Sequence, residues 1–175
     1  MRQEREKPIL GLPEEFSDLI LAHYAGVYRM GLSILRNAHD AEEVCQEAFL
    51  KAYENYESYD PSRPFKTWVY TIAYRLLLNR MRDKRAAKKA LEEAAPRPAA
   101  PIGIPDRAEL AEMSERLDAV IHELDPEDQL LLHYRFRDDL KFSEIAQITH
   151  GSENAVRVRF FRLLGRLRSD FQGAK

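Results

Sequence analysis

A single cysteine, Cys45, is the only thiol in 175 residues, which excludes an internal disulfide framework and a cysteine-based metal cluster. No apolar run approaches the length of a membrane span. The first residues, Met1 to Pro8, read MRQEREKP and are charged throughout, unlike a secretory leader. The five histidines (His23, His39, His122, His133, His150) are scattered without paired-ligand spacing. No glycine-rich phosphate loop or nucleophile motif occurs either, so no metal, cofactor or enzymatic reaction is expected. No run of alternating polar and apolar residues reads as a strand. These absences leave a cytoplasmic, all-α protein with no catalysis of its own.

Net charge is equally sparse, at −2, and by itself argues against a nucleic-acid partner. Its distribution argues the other way. Arg63 to Lys89 holds nine basic residues against one acid, and Gly151 to Lys175 holds six against two. His39 to Asp60 carries seven acids and one lysine, and Gly103 to Asp139 eleven acids and four arginines. Two basic blocks in an otherwise acidic chain suggest two separate places to hold phosphate.

Helical periodicity organises the chain. Residues 14–36 predict one or two helices with Phe16, Leu19, Ile20, Tyr24, Val27, Met30 and Leu35 available for an apolar face. Asp40, with Glu43 three positions on, reads as the N-cap of a second helix. That helix has a clean stripe of Ala41, Val44, Cys45, Ala48, Phe49, Ala52 and Tyr56. Cys45 on this stripe is expected to pack as a small hydrophobe. Tyr56 to Pro64 reads as a loop by its Asp-Pro, Ser and Pro content. A helix from Phe65 to Arg85 follows, with Val69, Ile72, Ala73, Leu76 and Leu77 as its core face and Thr71, Arg75, Asn79 and Arg82 on a polar one. Trp68 suits either that core or a stacking platform, with core favoured.

The stretch that follows lacks periodicity and is rich in alanine, charge and proline, with Pro96, Pro98, Pro101 and Pro105 close together. It reads as a linker over 89–108 between folded units at 14–88 and 109–172. About twenty extended residues span at most ~66 Å, enough for two domains to grip separate stretches of one duplex. In the second unit Leu110, Met113, Leu117, Val120, Ile121 and Leu124 predict an amphipathic helix. Asp125-Pro126 predicts an N-cap with proline in the first turn. Leu130, Leu131, Leu132, Tyr134 and Phe136 continue the core, and helices over 142–149 and 152–171 follow, broken at His150-Gly151.

That break is the sharpest local signal. A short helix, a glycine-containing turn and a longer basic helix make a helix-turn-helix, whose second helix enters the major groove. Ser152 is a natural N-cap for it. Val156, Phe160, Leu163, Leu167 and Phe171 fall on a core stripe, while Asn154, Arg157, Val158 and Phe161 lie on another that is free to meet base edges. Arg159, Arg162, Arg166 and Arg168 suit phosphates better than bases.

Two blocks then resemble the extracytoplasmic-function sigma factors. HDAEEVCQEAFLKAYENY is similar to the acidic region-two helix of that family, and FKTWVYTIAYRLLLNRMRDKR to its F-x-x-W-x-Y-x-IA helix with a basic tail. Leu124 to Arg168 resembles region four: an acidic helix, an Asp-Pro-Glu turn, EIA, a Ser-Glu turn, then V-basic-x-R ending in R-x-L-R. The resemblance covers about residues 14–88 and 109–172. It implies a two-domain helical factor that binds core RNA polymerase and directs it to promoter DNA, commonly held inactive by an anti-sigma factor. Polymerase docking would fall to Asp40, Glu42, Glu43, Gln46, Glu47 and Leu50. Opening of the −10 element would fall to Tyr59, Asp60, Ser62, Arg63, Lys66, Arg75, Asn79, Arg80, Arg82, Lys84 and Arg85, which would capture flipped bases and hold backbone. The −35 element would be read from Ser152 through Glu153, Asn154, Arg157, Val158, Arg159 and Phe161 to Arg162.

The chain also departs from that family. Tyr74-Arg75 replaces the usual Arg-Asn after IA. Lys141 stands where Ser or Thr commonly caps, leaving Asp139 as the expected cap. Ala155 and Val158 replace common hydroxyl residues of the recognition helix, so the −35 sequence read should be unusual. A sigma mimic that only titrates an anti-sigma factor is the main alternative, and the intact basic blocks count against it. A one-component repressor would leave the acidic helix without a purpose.

Overall fold

The computed structural model of the chain describes residues 14–92, 117 and 120–173. They form helices α1 (Glu14–Leu35), α2 (Ala38–Glu54), α3 (Phe65–Glu92), α4 (Pro126–Phe136), α5 (Phe142–Thr149) and α6 (Glu153–Gly173), with a 3-10 turn at Tyr56–Ser58. No strand occurs among the described residues. The chain divides into two compact units between Leu77 and Leu78, inside α3.

In the first unit α1 and α2 pack as an αα-hairpin. Arg36 closes α1 in the left-handed conformation (φ 50°), donating its N–H to the Leu32 carbonyl at 2.9 Å. Asn37, not Asp40, is the N-cap of α2, and its side chain accepts from the Asp40 N–H at 3.1 Å. The helix therefore starts three residues earlier than expected. Asp40 sits in its first turn, where the exposed N–H groups favour a carboxylate. The stripe Ala41, Val44, Cys45, Ala48, Phe49, Ala52 is buried as expected, whereas Tyr56 lies in the 3-10 turn and is half-buried. Small residues bring the helices close: a Cβ on Gly31 would lie 3.3 Å from the Ala41 Cα. The Cys45 thiol, 3.7 Å from the Tyr24 carbonyl, is pushed up to about 12 by burial and behaves as a packed methyl-sized group.

α3 begins after Pro64, whose carbonyl accepts the Thr67 N–H at 3.1 Å. Its core face is centred differently from expectation. Phe65, Val69, Tyr70, Ala73, Tyr74, Leu77 and Met81 are buried, while Ile72 and Leu76 are only partly covered. Tyr74, a departure from the family pattern, is thus a core residue. The helix continues to Glu92, past the expected end at Arg85 and into the expected linker, because the alanine, lysine, leucine and glutamate there favour helix. The remaining linker residues, 93–108, lie outside the described residues.

In the second unit most of the helix expected from 109 to 124 lies outside the described residues. Residues 120–123 are helical and Leu117 is 40% exposed. Asp125 and Pro126 hold the expected positions at the start of α4, but the Asp125 side chain makes no capping bond. Gln129 instead ties the preceding turn down, donating to the His122 carbonyl at 3.1 Å and the Leu124 carbonyl at 3.0 Å. Leu130, Leu131, Leu132, Tyr134, Ile145, Ile148, Val156, Phe160 and Leu163 form the core. Phe136, expected among them, is 65% exposed because α4 ends there and its ring lies on the rim beside Phe160. Asp139 does not cap α5. It adopts φ 49° and pairs with Arg135 at 3.0 Å, while the Lys141 N–H is held by the Glu144 carboxylate at 2.8 Å.

Tyr70 reaches α1 at Gly26, where an added Cβ would come within 2.5 Å of the phenol oxygen. Overpacking of a buried ring costs about 1–3 kcal/mol, against a gain of up to ~1 kcal/mol from replacing a mid-helix glycine by alanine. Gly26→Ala should therefore destabilise the wild-type chain but stabilise the Tyr70→Phe background. A double-mutant cycle by urea denaturation reads the difference.

Candidate functional site

The helix-turn-helix is built from α5, its turn and α6. His150 ends α5 in the left-handed conformation (φ 55°), and the Gly151 N–H returns to the Ala146 carbonyl at 2.9 Å. Ser152 caps α6 as expected, accepting the Ala155 N–H at 3.2 Å. Val156, Phe160 and Leu163 are buried and Leu167 partly so; the Phe171 side chain lies outside the described residues. That stripe turns Glu153, Asn154, Arg157, Val158, Phe161 and Arg162 outward, with Val158 40% and Phe161 59% exposed. Arg157 is held by Glu153 at 2.6 Å and lies over the Phe142 ring, 5.7 Å from its centroid. The ring of Phe161 is flanked by Phe160 at 5.7 Å and Phe142 at 6.3 Å. The outward face is therefore part aromatic and part cationic.

Two of the expected phosphate ligands are tied to acids of α4. Arg159 Nε meets Asp128 Oδ1 at 2.5 Å, its Nη1 pairs with Glu127, and Arg166 Nη2 meets Asp128 Oδ2 at 2.6 Å. Burial opposes the charge on Arg159, but the hydrogen bonds it donates to Asp128 and Glu127 outweigh it and raise its pKa above the ordinary arginine value. The acids of α4 were legible in the sequence only as a negative run; which cations they meet depends on how α4 and α6 cross.

In the first unit the loop before α3 is an aromatic assembly. Tyr59 packs on Trp68 (centroids 5.0 Å apart) and edge-on to Phe65 (5.4 Å). Phe16 of α1 joins Phe65 at 6.0 Å and Tyr56 at 4.9 Å. Trp68 is half-buried and packs in this assembly, between the two roles open to it. The Tyr59 hydroxyl donates to the Arg63 carbonyl at 2.6 Å, and Asp60 accepts the Ser62 N–H at 3.0 Å. Hydrogen bonds from Ser62 keep the Asp60 carboxyl below its ordinary value. Asp60, Ser62 and Arg63 project from this rigid base into solvent. The sequence signal for the assembly is the density of aromatics over residues 53–68. On α3, Arg75, Asn79 and Arg82 share one exposed stripe, Lys84 and Arg85 are exposed, and Arg80 is half-buried. Lys66 lies over the Tyr70 ring at 5.4 Å.

The outward face of α2 carries Glu42 and Gln46, joined at 3.2 Å, with Asp40, Glu43 and Glu47 partly exposed beside them. Leu50 is 56% and Tyr53 41% exposed at its end. An apolar anchor bordered by carboxylates suits a partner that is basic around an apolar pocket.

Sigma-70 region 2 matches residues 19–87 and sigma-70 region 4 matches residues 114–167. The chain belongs to the sigma-70 family of transcription initiation factors. It is 28% identical over 161 residues to the ECF RNA polymerase sigma factor SigW of Bacillus subtilis, covering 87% of this chain and 86% of that one. It is 29% identical over 149 residues to SigV of the same organism, covering 85% and 86%. Within the family it is an extracytoplasmic-function sigma factor. Its fold is similar to that of the sigma factor RpoE, solved with the anti-sigma factor NepR from Bartonella quintana. The TM-score is 0.68 at 16% identity, over 91% of this chain and 98% of that one. CnrH, solved with the cytosolic domain of CnrY, gives 0.65 at 22% identity, over 94% and 92%. No helix among the described residues is long and apolar enough to cross a membrane.

His23 of α1 stacks on Phe65 at 5.7 Å, and burial, then the Lys66 charge, lowers its pKa below the ordinary 6.5. The folded state thus binds fewer protons than the unfolded one as pH falls. The stabilisation is present above pH ~6.5 and is lost as pH drops through the lowered value. Thermal melts from pH 7.5 to 5 should show the midpoint fall, and His23→Gln should flatten that slope.

Proposed function

We propose that the chain binds core RNA polymerase through α2 and directs it to promoters by reading a −35 element with α6 and opening a −10 element with the Tyr59–Pro64 loop and α3. The observation that supports this most is α6 itself, whose buried stripe and Ser152 cap leave a mixed aromatic and cationic face outward. Asn154, Arg157, Val158 and Phe161 then meet base edges and Arg162 meets phosphate. On the −10 side Tyr59 serves as a fixed base of the loop, and the exposed Asp60, Ser62 and Arg63 are its contacts. Lys66, Arg75, Asn79, Arg80, Arg82, Lys84 and Arg85 hold the strand and its backbone.

In the sequence we assign about 14–88 to region two and about 109–172 to region four, with the segment between joining them. The protein is cytoplasmic, needs no cofactor and has no reaction of its own. One structure of similar fold is that of a sigma factor bound to an anti-sigma factor, and a second is that of CnrH bound to the cytosolic domain of CnrY, which supports control of this chain by a protein partner of that kind.

With core polymerase and duplexes selected by the complex, the chain should support specific run-off transcription. Glu42→Lys with Glu47→Lys should weaken core binding at least tenfold, about 1.4 kcal/mol, without changing the thermal midpoint. Failure to bind core at any salt concentration would sink the proposal.

Val158 stands where the family commonly has a hydroxyl residue, and Phe161 is exposed one turn on; an apolar pair in the major groove recognises the thymine methyl. Replacing thymine by uracil in the selected −35 element should cost ~0.8 kcal/mol, about fourfold in affinity, for each methyl contacted. Phe161→Ala should erase that difference at its site.

A further inference from the structure

Asp128 is 3% exposed at the start of α4, and both of its carboxylate oxygens are taken by arginines of α6. Arg159 and Arg166 are two turns apart on one flank of that helix, and their side chains are 42% and 59% exposed. One buried carboxylate, helped by Glu127, therefore occupies two of the five arginines that α6 carries. A DNA phosphate that took either arginine would have to compete with a carboxylate at hydrogen-bond distance that is excluded from water. Stripping partners from a buried charge is far more costly than losing one solvent-exposed phosphate contact.

We infer that Asp128 is a specificity-determining positioning residue: it withholds Arg159 and Arg166 from the phosphate backbone, so α6 binds DNA with fewer cations than its sequence carries. This rests on the proposal that α6 meets DNA. Sequence-independent affinity comes from phosphate contacts, whereas the outward Asn154, Arg157, Val158 and Phe161 carry the base reading. Holding two arginines on Asp128 lowers binding to every sequence while leaving the reading face intact. The same clamp fixes the rotation of α6 against α4, because both arginines must face Asp128 together.

The test uses the full chain and measures affinity for a selected duplex and for an unselected one over a KCl series. Asp128→Asn keeps the side-chain shape and removes the charge that holds both arginines. It should steepen the salt dependence on unselected DNA by about 0.9 in log–log slope for each arginine released. It should also raise affinity for that DNA several-fold and narrow the ratio between selected and unselected duplexes. Arg166→Gln should leave the slope unchanged, and Arg162→Gln should reduce it by about 0.9. An unchanged slope in a folded Asp128→Asn variant overturns the inference. So does a loss of about 0.9 in Arg166→Gln, which decides the matter even where Asp128→Asn fails to fold. A flat result for Arg162→Gln counts instead against the placement of α6 on DNA.

Discussion

The contact of α2 with α1 decides what α2 can show a partner. Its stripe from Ala41 to Ala52 is made mostly of small side chains, and with Gly31 opposite Ala41 the two helices approach closely. Burial of such a stripe contributes roughly 25 cal/mol for each Å² removed from water, and a helix that buries one face presents the opposite one. The carboxylates and Leu50 are therefore outward by necessity. α6 follows the same rule, since Val156, Phe160 and Leu163 are spent on the core and Asn154, Arg157, Val158 and Phe161 remain. Both proposed partner surfaces are the complements of cores.

Charge then sorts into two uses. Exposed ion pairs such as Glu47–Lys51 on α2 contribute little to stability and stay available to a partner. The Asp128 cluster is of the other kind, a carboxylate out of water with guanidinium groups closed over it. A cation in that setting is part of the fold. For this reason neither the overall charge of −2 nor the local excess of basic residues near the C-terminus measures what the DNA meets.

Aromatic packing gives the first unit its rigid loop. Phe16, Tyr56, Tyr59, Phe65 and Trp68 contact one another at centroid separations of 4.9 to 6.0 Å, a range in which edge-on and tilted rings attract. A loop held this way presents Asp60, Ser62 and Arg63 in one arrangement, which suits capture of a base that has left its stack.

Helix type, the stripes of α2 and α6, the Ser152 cap and the two-block family pattern were all legible in the sequence, because each is set by spacing along one element. The caps of α2 and α5 were misplaced since several side chains within one turn can reach the same N–H, and only the backbone path chooses Asn37 over Asp40. The exposure of Phe136, the burial of Tyr70 and Tyr74, and the pairing of Arg159 and Arg166 with Asp128 depend on which helix crosses which, and at what rotation. The sequence by itself determined an all-helical sigma factor with an acidic helix, a basic helix and a helix-turn-helix. Only the tertiary structure decided which of the basic residues are paired with acids of the chain, because that depends on contacts between residues more than thirty positions apart.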